Sequence, residues 1–112
     1  MKTINRTILT IIPKKPYIEW ANSFEDDGPE LDLETKHSLA VLIPDKYDEF
    51  NYERFLKENY AIIFEEELTA WMADPDLWPK NRTYKKFTEW FDVWVSDAVL
   101  DFGQGAIVHE PF

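Results

Sequence analysis

The sequence contains no cysteine, three glycines and two histidines, and no long apolar run. Without cysteine there is no disulfide framework, no thiolate metal site and no cysteine nucleophile. Gly28, Gly103 and Gly105 are too few to build a Walker-type or dinucleotide-type phosphate loop. His37 and His109 exclude a multi-histidine metal centre within one chain. No apolar stretch approaches the ~20 residues that span a bilayer. The stretch Ile8 to Ile12, interrupted by Thr10, falls short of the roughly 7–15 apolar residues of a secretory leader. A cytoplasmic protein with no membrane association is expected. Bases are also scarce, with 12 Lys and Arg against 22 Asp and Glu, for a net charge of −10. Phosphate neutralisation needs clustered bases, so nucleic acid is not an expected partner.

Aromatic residues, by contrast, are plentiful: five Trp, five Tyr and eight Phe in 112 residues. High net charge alone would favour disorder, but disordered chains are poor in aromatics. Each buried aromatic removes roughly 150–250 Å² from water. A folded core wins, and the length suits one domain over residues 1–112. The charge is unevenly placed. Residues 1–22 carry four bases and one acid, residues 23–76 sixteen acids and four bases, and residues 77–112 four bases and five acids. All the excess acid lies in the middle.

Residues 4–12, rich in Ile, Thr and Leu, predict a strand, and its two alternating sets are both largely apolar. That pattern places it centrally, covered on both faces. Pro16 suits the first turn of a helix whose apolar face is Tyr17, Trp20, Ala21 and Phe24. Leu39 to Ile43 reads as a second strand; if parallel to the first, the two would form a right-handed crossover. Residues 48–73 are helical in pattern, but one helix of that length would span about 39 Å. A domain of this size has a radius of gyration near only ~14 Å, so a break is expected at Asn59. The buried stripe after it is Tyr60, Phe64, Leu68, Trp71 and Met72, with Glu65, Glu66 and Thr69 facing water. A turn over residues 74–79 precedes a short helix from Thr83 to Phe91. Residues 92–102 read as a strand whose phase flips, which predicts a β-bulge near Ser96 and Asp97. A last short strand is expected over Ala106 to His109. The expected fold is α+β: a three- to four-stranded sheet packed with about four helices.

Candidate chemistry is sparse. Adjacent residues of a helix point about 100° apart, so Glu65, Glu66 and Glu67 cannot grip one ion, and they read as a solvated face. The Glu-x-x-His spacing of a di-iron bundle occurs once, at Glu34 and His37, without a second copy. No metal or cofactor is expected. The serines Ser23, Ser38 and Ser96 lie in no nucleophile elbow, so no catalytic residue is assigned. Lys14 and Lys15 stand before one helix start, and Lys80 and Arg82 before another, where backbone N–H groups favour anions. Were the two groups to meet, they would form an anion pocket. Trp71, Trp90 and Trp94 fall at core-facing phases. Trp78, in a turn between prolines, is either a partner anchor or a lid over a small cluster.

The segments Phe64 to Trp71, Asp74 to Pro79 and Arg82 to Val93 carry the pattern FEEELTAW, DPDLWP and RTYKKFTEWFDV. This resembles a group of small bacterial proteins of about this length with no assigned activity. The resemblance implies a stand-alone bacterial cytoplasmic domain and carries over no catalytic residues. The leading functional expectation is a non-enzymatic interaction module, meeting a protein partner through the acidic face at Glu65 and Glu66 or the Trp78 turn. The alternative is a small-molecule or anion-binding protein, or an enzyme with His37 or a carboxylate as base, using Lys14, Lys15, Lys80 and Arg82.

Overall fold

Alternation along residues 6–13 sets the frame of the fold. In the computed structural model, which describes residues 1–24 and 38–111, strand β2 (Arg6–Pro13) buries Thr7, Leu9, Ile11 and Pro13. Its even-numbered residues point the other way. β2 is the centre of a three-stranded antiparallel sheet, between β3 (Leu39–Pro44) and β4 (Phe91–Ser96). Leu9 lies opposite Val41 and Val95, and Ile11 opposite Leu39 and Val93, so all three strands send apolar side chains to one face. Pro44 sits at the end of an edge strand, where its missing N–H breaks no ladder.

Three helices cover that face. α1 (Lys15–Asn22) has Pro16 in its first turn and buries Tyr17, Ile18 and Ala21. α2 (Tyr52–Trp71) buries Leu56, Ile63, Phe64 and Leu68 along one stripe, and α3 (Tyr84–Trp90) buries Phe87. Thr83 caps α3 by accepting from Lys86 N–H at 3.1 Å. The result is a small single α+β domain with a few-stranded antiparallel sheet and a handful of helices.

Indole N–H groups join the layers. A helix leaves its last carbonyls unpaired. Trp71 Nε1 donates to Ala21 O at 2.8 Å in the last turn of α1, and Trp78 Nε1 donates to Met72 O at 2.7 Å just past α2. Trp20 Nε1 reaches Leu77 O at 3.1 Å, in the short 3₁₀ turn Pro75–Leu77. These rings therefore close the helix ends as well as fill the core.

Several expectations need correction. α2 runs unbroken through Asn59, whose amide donates to Phe55 O at 2.9 Å without interrupting the helix. The break was inferred from 26 helical residues; Asp48 to Asn51 form a turn instead, in which Asp48 Oδ1 accepts from Phe50 N–H at 2.8 Å. Met72 and Ala73 also lie outside the helix, and the 20 residues of α2 span about 30 Å, within the 45 Å long axis of the molecule. β3 is antiparallel to β2, with Leu39 beside Ile11, so there is no parallel crossover. Among the described residues the helices cover one face of the sheet: Trp94, expected inside, is 67% exposed and shares its face with Thr10.

The phase flip expected after Val95 does not occur: Ala98, Leu100 and Phe102 are exposed, as Asp92 and Trp94 are. The β2–β4 ladder stops at Ser96, and β5 (Leu100–Asp101) pairs with β1 (Lys2–Thr3) in a separate two-stranded ladder. Between the two ladders, residues 4–7 stand opposite residues 97–99, four against three. The extra residue thus lies on the N-terminal strand. Residues 106–109 form no strand.

Candidate functional site

A groove of about 210 Å³ with convergent polar groups lies between the first half of α2, α3 and β4. Leu56, Phe87 and Phe91 form its apolar floor, while Tyr52, Glu53, Tyr84, Lys14 and Asp92 rim it. The local fold explains the set. Tyr52 and Glu53 are the first residues of α2 and Leu56 lies one turn on. Tyr84 opens α3, and Asp92 is the second residue of β4, which follows the helix directly.

The rim is electrostatically uneven. Lys14 Nζ donates to Thr88 O at 2.9 Å and lies 3.5 Å from Asp92 Oδ1, so these two charges largely offset each other. Glu53 forms no ion pair among the described residues. Burial raises the Tyr84 hydroxyl above the usual phenol range, and the Glu53 carboxylate and Tyr52 add to the shift. Tyr84 therefore stays a neutral hydrogen-bonding phenol beside an unpaired carboxylate. Among the described residues neither histidine nor serine lines the groove, and the Thr88 hydroxyl donates to Lys85 O at 2.7 Å.

The bases singled out from the sequence do not converge. Lys14 N–H donates to Trp90 O at 2.8 Å, so Lys14 sits at the C-terminal end of α3. Lys80 and Arg82 precede its N-terminus, and seven helical residues, about 10 Å, lie between. Lys15 lies 3.8 Å from Glu19, and neither Lys15, Lys80 nor Arg82 lines the groove. The anion pocket is not formed, because α3 separates its two halves.

The acidic run behaves unevenly too. Glu65 is exposed and lies 3.9 Å from Arg82, while Glu66 is half-buried. Glu67 is 2% exposed, and its Oε2 has no hydrogen-bond partner among the described residues. Desolvation pushes the Glu67 carboxyl up to about 7. The sequence reading placed this run in water, yet Glu67 stands three residues after Phe64 and four before Trp71. That spacing puts it on the buried stripe, and was the available signal.

Trp78 is half-buried, bonded to Met72 O and covered by the Arg82 guanidinium 5.5 Å from its ring. Arg82 also donates to Pro79 O at 3.0 Å. This is the geometry of a lid on the core. Trp78→Ala should lower stability by about 1–3 kcal/mol, through lost packing and an unpaired carbonyl at the end of α2. A thermal melt checks it; an unchanged melting temperature would contradict the lid role.

His109 is exposed and lines a second cavity of about 190 Å³ with Arg6, Leu42 and Ile107, while His37 lies outside the described residues. Ser38 is exposed just before β3. Among the described residues no group of three metal-ligating side chains occurs, and no helix is long and apolar enough to cross a membrane. No protein-family model, no curated protein and no solved structure matches this chain.

Proposed function

We propose that this protein is a non-enzymatic binding module that receives a basic side chain of a protein partner in the groove between α2, α3 and β4. The observation that carries the reading is the unpaired Glu53 carboxylate beside the Tyr84 and Tyr52 phenols, above an apolar floor. A carboxylate flanked by aromatic rings suits an Arg or Lys head: the carboxylate accepts a charge-assisted bond, the rings attract the cation, and the floor takes its methylene stem. Glu65 and Trp78 serve less well as anchors, since Arg82 engages both. A cytoplasmic setting belongs to the same proposal and rests on the resemblance to small bacterial proteins.

Calorimetric titration with an Arg-rich peptide and an acidic control peptide tests it. The basic peptide should bind, more weakly as salt rises, and Glu53→Gln should weaken it about tenfold through loss of one charge-assisted bond. Equal binding of both peptides, or none of either, would refute the reading.

A further inference from the structure

We infer that a protein partner adds an extended segment to the open edge of β4, as a fourth strand of the sheet, and thereby carries its basic side chain into the groove. The basic side chain rests on the groove reading above; the strand addition rests on the backbone of β4. Among the described residues β4 pairs with β2 alone and is an edge of the sheet. Lys14 N–H donates to Trp90 O at 2.8 Å, and these two stand opposite each other in the register that sets Pro13 beside Phe91. Antiparallel pairs alternate between hydrogen-bonded and non-hydrogen-bonded. Asp92, Trp94 and Ser96 therefore bond to β2, while Phe91, Val93 and Val95 turn their N–H and C=O groups away from it. The Phe91 N–H returns to Phe87 O at the end of α3. The backbone groups of Val93 and Val95 have no partner on that outer side among the described residues.

A bare edge is a template for another strand, and proteins blunt unused edges with proline or charge. The opposite edge, β3, ends in Pro44, which has no N–H to offer. β4 reads FDVWVS, with no proline and no base, and its one acid, Asp92, is engaged by Lys14.

Register identifies the occupant. In an added antiparallel strand, the residue opposite Val93 exchanges both backbone bonds with it and sends its side chain to the same face. That face is the groove, which Val93 lines together with Glu53 and Tyr84. An Arg or Lys at this one position meets the Glu53 carboxylate, and the net charge of −10 draws such a segment in. Its two neighbours fall on the outer face, one of them beside the exposed Trp94 ring, where a β-branched residue packs well. Backbone pairing then gives affinity and the groove gives specificity, as in other strand-addition complexes. A second copy of β4 fits less well, because it holds no base to set over Glu53 and brings another −10.

Amide hydrogen exchange followed by NMR tests the inference, with a blocked pentapeptide of Val and Thr around a central Arg as the probe. At saturation the Val93 and Val95 amides should exchange about tenfold more slowly or less, while that of Trp94, which faces β2, should not change. Methylating the backbone nitrogen of the central Arg removes its bond to Val93 O and keeps its side chain, and should weaken binding about tenfold. Saturation without slowing at Val93 and Val95, or equal binding of the methylated peptide, would overturn strand addition and leave the groove reading standing. A peptide with Ala for Arg that binds equally and protects both amides would instead overturn the groove reading, and with it the basic side chain. Protection of both amides in the free protein that grows with its concentration would give the edge to a second copy and overturn the inference. A peptide that fails to bind at about 1 mM would overturn both.

Discussion

Glu67→Gln should stabilise the protein by about 3 kcal/mol at pH 8 and remove most of its pH dependence between about 4.5 and 8. The reasoning starts from burial. Glu67 lies on the core side of α2 with one carboxylate oxygen unpartnered among the described residues, and desolvation lifts its carboxyl from 4.5 to about 7. The folded state therefore keeps a proton that the unfolded chain releases at lower pH. Below pH 4.5 both states hold it, and the stability is fully present. As pH rises through 7 the folded protein must ionise a buried carboxyl, and the stability is lost. A difference of about 2.5 pH units corresponds to about 3 kcal/mol.

The group facing Glu67 from α1 is Tyr17, whose hydroxyl donates to the Glu67 backbone carbonyl at 2.7 Å. Burial raises that phenol well above its ordinary range, and the Glu67 charge raises it further, so Tyr17 stays neutral throughout. Glutamine has the shape of glutamate without its charge, so the variant should show a flat profile where the wild type slopes. Chemical denaturation at pH 5, 6, 7 and 8 measures both. A flat wild-type profile, or a slope retained in the variant, would contradict the buried protonated carboxyl.

Phe64→Ala should destabilise the domain by about 3–5 kcal/mol. Phe64 is fully buried, and its ring meets those of Phe87, Trp90 and Phe91 at centroid distances of 5.9, 5.7 and 5.4 Å. Those three belong to α3 and the start of β4, so Phe64, together with Tyr60, holds the last third of the chain against α2. Its removal opens a cavity that rigid helices cannot close. Small domains have only about 5–15 kcal/mol of total stability, and the variant should lose a large part of it. Phe50→Ala is the control, since Phe50 is 87% exposed and its loss should change stability by less than about 0.5 kcal/mol. Equal effects at both positions would show that burial does not govern this core.

The fold class was legible because it depends on short-range pattern. The Ile, Thr and Leu of residues 4–12, Pro16 at a helix start and the Phe64–Leu68 spacing each point to one element. What local pattern left open was partnership. Trp94 is apolar and lies in a strand, and only the pairing of β4 with β2 decides that it faces away from the helices. Ala98, Leu100 and Phe102 suggested a flipped phase, yet all three are exposed. The one-residue offset between the two ladders lies on the N-terminal strand, and finding it required knowing which residues stand opposite 97–99.

The sites divide along the same line. Lys14, Lys15, Lys80 and Arg82 were recognisable as bases near helix starts, but their separation across α3 is a matter of packing. The groove combines residues 14, 52, 53, 84 and 92 from distant parts of the chain, so no linear motif announces it.

Composition and periodicity thus determined by themselves that this acidic, aromatic-rich chain folds as α+β without cysteine chemistry or phosphate loops. Both are properties of a residue and its near neighbours, and local physics is enough to read them. Only the tertiary structure decided that Glu67 is buried and proton-binding, that the bases stand apart, and that one sheet face remains outward. Desolvation and charge pairing depend on what comes close in space, and here that is set by contacts between residues as far apart as Tyr17 and Glu67.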